Sequence, residues 1–217
     1  MATELFVNPE PVEALKNIIM SDTIRGLDLL LINDQYYTTH IGDVGINANI
    51  VEAYYKDKNR GVVTYVKYFL EEVQKLESFN TMVRAIGEVH KKVGLMASIC
   101  NSRKYETCIP LNRVGKPMDG EFEIVIVEKA DTISLIKAGL SKFDESYLEN
   151  QHSQLIFIKE AEIECEEPRL LQLDGEVIGM FDKLEIKLLS VAIRLITYHE
   201  NLNIKDTGRD KSNYSLK

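Results

Sequence analysis

Apolar and polar positions repeat along this chain with two different periods, and the change of period divides it. In residues 8–20, Val12, Leu15, Ile18 and Ile19 recur at helical spacing. They follow Asn8, a good N-cap, and Pro9, suited to a first helical position. The pattern predicts a helix there. Leu27–Ile32 is a short apolar run, Asn33-Asp34 a turn, and Tyr36–Ile41 a return strand, which together read as a hairpin. Gly42-Asp43-Val44-Gly45 then reads as a break. Two helical stripes follow. One holds Ile46, Ile50, Ala53 and Tyr54. The other holds Val62, Val63, Val66, Phe69, Leu70, Val73 and Leu76, with Glu71, Glu72 and Lys75 on its opposite face.

From residue 80 the period-two signal dominates. Strands are predicted at Thr81–Ile86, Lys92–Ile99, Phe122–Val127, Gln154–Ile158, Glu160–Cys165, Leu170–Leu173, Leu184–Leu189 and Ala192–Thr197. One more helix fits residues 131–142, with Asp131 as N-cap and Ile133, Ile136 and Leu140 as its stripe. Residues 142–153 are polar and loop-like, and the tail from Glu200 is expected to fray. No solenoid repeat is visible. The expected class is mainly β with helices (α+β): an antiparallel β-sandwich or strongly bent sheet behind a helix-rich segment.

Charge and length narrow the function classes. The chain has 217 residues, enough for one large domain or two small ones. Its 26 basic and 34 acidic residues give a formal charge of −8, which does not favour nucleic acid. No run approaches the ~18 apolar residues of a membrane span, and the first residues, Met1-Ala2-Thr3-Glu4-Leu5, lack a signal-peptide pattern. The three cysteines, Cys100, Cys108 and Cys165, form no disulfide framework. A cytoplasmic address is the default expectation.

Few constellations carry chemistry by themselves. Asp-Gly-Glu occurs twice, as Asp119-Gly120-Glu121 and Asp174-Gly175-Glu176. Asp-Gly between β runs favours a hairpin turn, because Gly accepts positive φ and Asp bonds nearby backbone. Such turns also place carboxylates at strand ends, within reach of a substrate. Gly42-x-x-Gly45 lacks the length and the Lys of a phosphate loop, so it reads as a tight turn that lets a helix pack closely. His40, His90, His152 and His199 show no metal-ligand spacing, no Gly-x-Ser-x-Gly elbow exists, and Tyr54, Tyr55, Tyr65 and Tyr68 read as packing.

Five segments, in order and approximate spacing, carry a resemblance. They are Leu27-Asp28-Leu29 through Ile41-Gly42-Asp43-Val44-Gly45-Ile46-Asn47-Ala48; Gly61 to Leu76; Asn101-Ser102-Arg103-Lys104-Tyr105; Lys116 to Val125; and Gln172-Leu173-Asp174-Gly175-Glu176 with Leu184-Glu185-Ile186. Together, over roughly residues 8–197, they resemble the C-terminal part of bacterial diacylglycerol-kinase-like lipid kinases. That family includes sphingosine kinases and is distantly related to NAD kinases.

The resemblance implies an ATP-binding N-terminal domain, a lipid-binding β-sandwich and an active site between them. Glu176 then matches the carboxylate that takes the proton of the lipid hydroxyl, and Asp174 and Gly175 shape its turn. Asp119 matches the carboxylate of a structural Mg²⁺ site completed by the backbone carbonyls of Lys116 and Glu121. On this reading residues 1–26 are a remnant helix and linker, 27–198 the β-sandwich-like domain, and 199–217 a polar tail.

The 217 residues contain neither Gly-Gly-Asp-Gly-Thr nor Gly-Thr-x-Asn-Asp, and Glu106-Thr107-Cys108 replace the family's glycines after Tyr105. The nucleotide domain is therefore expected to be missing and the chain inactive alone, with ATP bound only if a partner domain supplies it. The implied partners are a lipid such as diacylglycerol, a separate ATP-binding domain or a second copy, and the inner membrane surface. Three other readings stand beside this one: one subunit of a two-chain kinase, a non-catalytic lipid- or partner-binding module, and a degenerate fragment of poor solubility that binds no ligand.

Overall fold

The computed structural model describes residues 7–8, 10–21, 24–59, 77–102, 115–127 and 154–196, with residues 64, 67–68, 71–72, 75 and 112. The helix expected at 131–142, the loop at 142–153, the tail, Cys108 and most of the 62–76 helix lie outside them.

Helix α1 spans Pro11–Met20. It starts later than Asn8 and Pro9 suggest: Pro11 takes the first helical turn, Glu10 the N-cap position, and Asn8 accepts a bond from the Glu10 N–H at 3.0 Å. The difference is one of choice between two prolines, and either satisfies the same missing-donor rule. No residue of α1 is buried. Its apolar side chains face solvent, Val12 66%, Leu15 57% and Ile19 74% exposed.

Strands β1 (Ile24–Ile32) and β2 (Tyr36–Thr38) form the expected hairpin, paired Leu30 to Thr38 and Ile32 to Tyr36. Asn33 and Asp34 make its turn at φ 51° and 53°, values that Asn and Asp tolerate best after Gly. The return strand is shorter than its pattern. Ile41 belongs instead to β3 (Ile41–Gly45), so the Gly42–Gly45 segment is a fully buried central strand and not a break. Its glycines mark close backbone approach: a Cβ on Gly42 would lie 2.4 Å from Leu173 Cδ2 and 3.2 Å from the Gln172 carbonyl. Gly45, at φ 110°, turns the chain into helix α2 (Ile46–Lys56).

The remaining strands are β4 (Phe79–Ala85), β5 (Glu88–Gly94), β6 (Met96–Cys100), β7 (Phe122–Val127), β8 (Gln154–Ile158), β9 (Glu160–Leu173) and β10 (Glu176–Ile196). The run read as one strand at 92–99 is two, parted at Leu95, whose N–H bonds Val127. Conversely, 160–165 and 170–173 join as β9, and 184–189 and 192–197 join within β10. Long strands absorb bulges that interrupt their apolar alternation, so each reads as two short ones.

All ten strands form one sheet, in the order β2-β1-β10-β9-β3-β6-β7-β8, with β4 and β5 leaving that path at β9. The same edge of β9 takes β4 over Ala161–Cys165 and β3 over Leu171–Leu173. Between these stretches, near Pro168, its register against β10 slips. A Pro has no N–H to give a ladder, and a bulge is where a sheet tolerates one. There the sheet splits and folds over itself. Val83 and Ala85 of β4 consequently share one core with Ala97, Ile99 and Ile124 of β6 and β7. The result is the antiparallel, sandwich-like fold with helices that the alternation predicts. Strand β7 is buried on both faces: Phe122, Ile124 and Ile126 enter that core, while Val125 and Val127 join Ile41, Met96 and Cys100 behind it.

A methyl group at Gly42 meets a backbone oxygen that cannot move alone. Gly42→Ala is expected to lower unfolding free energy by about 1–3 kcal/mol, read as a lower urea midpoint with an unchanged slope.

Candidate functional site

The turn from β9 to β10 is Asp174-Gly175, at φ 50° and 88°. Both φ values are positive, the hairpin geometry that Asp-Gly favours. Asp174 is locked in place. Its Oδ1 accepts from the Thr38 hydroxyl at 2.6 Å and from the His40 and Ile41 amides at 3.0 and 3.1 Å. Its Oδ2 accepts from the Thr39 amide at 2.9 Å and hydroxyl at 3.1 Å. The Asp174 N–H in turn donates to the Ile41 carbonyl at 2.9 Å. A carboxylate with this many donors is an anchor.

Two residues on, Glu176 is the first residue of β10, exposed and opposite Leu173 in the ladder. No described residue bonds its side chain. Behind the turn, Gln172 is fully buried: its Oε1 accepts from the Gly175 N–H at 2.7 Å, and its Nε2 donates to the buried Asp43 carboxylate. The turn that carries Glu176 is therefore held from both sides, while its side chain is exposed with no described partner.

The other Asp-Gly segment differs from expectation. Asp119-Gly120 joins no two strands; it lies in the loop that enters β7, with Asp119 Oδ1 accepting from the Glu121 N–H at 3.2 Å. Asp119 is exposed, and Lys116 and Glu121 are half-buried. What shapes this loop is Asp28, to which the pattern of the sequence assigns no role. Asp28 is 1% exposed, at a bulge of β1. Its Oδ2 accepts from the Gly120 amide at 2.7 Å, and its Oδ1 from the Val191 amide at 2.8 Å and the Ser190 hydroxyl at 3.2 Å. Its own N–H donates to the Pro117 carbonyl at 2.8 Å. The available signal was one acid inside the apolar run Leu27–Ile32.

A second unassigned residue links the two loops. Buried Asn101 donates through Nδ2 to the carbonyls of Asp28 at 3.0 Å and Thr39 at 2.9 Å, and its N–H bonds the His40 carbonyl at 2.9 Å. One hydrogen-bond relay thus runs from Glu176's turn through Thr38–Ile41, Asn101 and Asp28 to Asp119's loop. The structure gathers the two predicted groups along this relay and not by direct contact.

Behind the relay lies Glu123, fully buried, which accepts from Asn112 Nδ2 at 2.9 Å. Burial first, and then the Glu123 and Asp43 carboxylates, push the Cys100 thiol well up, so it is no nucleophile at neutral pH. Burial likewise pushes Cys165 up to about 11. Among the described residues no three His, Cys, Asp or Glu side chains gather to hold a metal, and no helix is long and apolar enough to cross a membrane. A cation at Asp119 would draw on one carboxylate and the Lys116 and Glu121 carbonyls. That oxygen-only donor set suits Mg²⁺.

A groove of about 990 Å³ starts beside this loop. Glu121, Lys159, Glu185 and Lys187 line it together with the tip of the β4–β5 hairpin.

Residues 42–197 match the family described as the YegS C-terminal NAD kinase beta sandwich-like domain. No curated protein matches the sequence. A crystal structure of a diacylglycerol kinase from Bacillus anthracis str. Sterne superposes with a TM-score of 0.69 at 19% identity, covering 92% of this chain and 65% of that one. A further crystal structure from that organism, named as a candidate diacylglycerol kinase, gives a TM-score of 0.70 at 21% identity, over 93% and 65%. An NAD kinase from Archaeoglobus fulgidus in complex with ATP gives 0.51 at 8% identity, over 89% and 63%. The chain thus spans about two thirds of the length of these proteins.

Removing one oxygen acceptor from the Asp174 anchor sets an amide against the Thr39 donors. Asp174→Asn is expected to cost about 1.5–3 kcal/mol, seen as a lower melting temperature and as faster amide exchange at Thr39–Ile41.

Proposed function

Because the chain belongs to the family of YegS C-terminal NAD kinase beta sandwich-like domains, we propose that it is the lipid-binding half of a diacylglycerol-kinase-like lipid kinase. The observation that carries the reading is Glu176: an unencumbered carboxylate on a turn fixed by Asp174 and Gln172. A lipid alcohol is a weak nucleophile at neutral pH. A positioned carboxylate accepts its proton as the oxygen bonds to the γ-phosphorus and the bond to the leaving nucleoside diphosphate breaks. ATP supplies the phosphoryl group. The turn keeps the Glu176 backbone in place, so that little reorganisation remains when substrate arrives.

Mg²⁺ fits the Asp119 loop as a structural ion, held by the Asp119 carboxylate and the Lys116 and Glu121 carbonyls. Asp28 fixes the same loop from inside through Gly120 and Pro117. In this reading the ion stiffens the rim of the site and takes no part in the transfer. Millimolar Mg²⁺ is expected to raise the melting temperature of the wild type and not that of Asp119→Ala. An equal shift in both rejects the site.

A nucleotide-binding domain has to complete the enzyme, because clamping the phosphates supplies most of the catalysis in phosphoryl transfer. The exposed apolar stripe of α1, Val12, Leu15, Ile18 and Ile19, supports a docking partner there. The 217 residues alone are expected to transfer no phosphate from ATP to diacylglycerol. With a family nucleotide-binding domain added, transfer is expected, and Glu176→Gln is expected to reduce kcat by about 10²–10⁴-fold with an unchanged melting temperature. Lipid binding that survives Glu176→Ala, with no transfer under any supplement, favours the non-catalytic binding module instead.

A further inference from the structure

The β4–β5 hairpin departs from the turn chemistry of the two other hairpins. Its turn is Ile86-Gly87, with Ile86 at φ 53° and 77% exposed. The two other hairpin turns put Asn33, Asp34, Asp174 and Gly175 at positive φ. A β-branched residue in the left-handed region crowds its own backbone. Ile86 carries that strain and buries almost nothing in return. Val191, the other exposed β-branched residue at positive φ, at 56°, gives its amide to Asp28; the strain at Ile86 has no such return among the described residues and points to a use outside the folded chain.

The strand that follows continues the pattern. Val89, Lys91 and Val93 alternate on one face of β5, and all three are exposed, Val89 54% and Val93 55%. Among the described residues β5 pairs with β4 alone. No described acidic side chain forms an ion pair with Lys91 or Lys92, although the chain carries a net −8. Arg84 on β4 is already engaged by Glu162 and Glu164, and Glu88 leans toward His90 at 3.5 Å.

We propose that the β4–β5 hairpin is a membrane-docking element, inserting Ile86, Val89 and Val93 at the interface of an anionic bilayer while Lys91 and Lys92 meet its headgroups. Apolar side chains flanked by lysines are what such an interface takes up. A folded protein partner fits less well. Lysines along a strand edge oppose strand addition, and among the described residues the patch offers no Trp, Tyr or unengaged Arg to anchor in a pocket. The position also suits the proposed chemistry. The hairpin tip and Glu121 line one groove, so a bilayer at Ile86 faces the Asp119 loop. In that groove Glu162 and Glu185 are already paired with Lys183, at 2.7 and 3.1 Å, and Lys187 with Asp34.

The inference extends the lipid-kinase reading but is tested without nucleotide, so either can fail alone. The full chain is sedimented with vesicles of phosphatidylcholine alone and of phosphatidylcholine with phosphatidylglycerol in equal amounts. Binding is expected to the mixed vesicles only, and to weaken at high salt. The double variant Lys91→Glu/Lys92→Glu is expected to bind about tenfold or more weakly. Ile86→Gly relieves the strained turn, so its melting temperature is expected to hold or rise while vesicle binding falls severalfold. Leu15→Ser on α1 is expected to change nothing. Failure of the wild type to bind mixed vesicles, equal binding by the hairpin variants, or loss of binding in Leu15→Ser would each overturn the proposal.

Discussion

The fold depends on one strand serving two neighbours along a single edge. Over Ala161–Cys165, β9 pairs with β4; over Leu171–Leu173 it pairs with β3. Backbone hydrogen bonds are directional, so a bend in the strand between its two partners sends them in different directions. The bend falls where Pro168 removes a donor and the register slips against β10. From it follow the closure of the sheet around a core shared by Val83, Ile99 and Ile124, and the placement of β3 beside the β9–β10 turn. The candidate site is therefore a consequence of the bend.

Carboxylates hold that site together in the way metal ions or disulfides hold smaller folds. Asp174 and Asp28 each gather backbone amides from segments far apart in sequence, and Asn101 ties the two clusters through carbonyls. Charge-assisted bonds of this kind are stronger than neutral ones, and their geometry admits few alternatives. The same arrangement separates roles between neighbours. Asp174 is saturated by donors and rigid, whereas Glu176, two residues on, is exposed with no described partner.

Apolar residues left in water form a second pattern. On α1 they make a continuous helical stripe, as on a helix whose partner lies outside the described residues. On the β4–β5 hairpin they are scattered, aliphatic and mixed with lysines. A shaped, continuous face suits a protein domain, and a small apolar tip with mobile charges suits a fluid surface.

Strand alternation, the Asn33-Asp34 and Asp174-Gly175 turns and the helical period of 46–54 were legible without a structure, because each is set by neighbours within a few residues. The order of five weak motifs was legible as well, and with it the family. Strand lengths were not: bulges hide the continuity of β9 and β10, and Leu95 hides the break between β5 and β6. Gly42–Gly45 reads as a tight turn because its glycines serve close contacts with residues far along the chain, Gly42 with Leu173 and Gly45 with Leu95. The work of Asp28 and Asn101 was invisible for the same reason, since every bond that defines it crosses from one strand to a distant loop. The sequence alone determined which short segments could turn, pair or coil. Tertiary structure decided which of its many acids became anchors and which stayed exposed, because that depends on how many backbone donors the folded chain brings to each carboxylate.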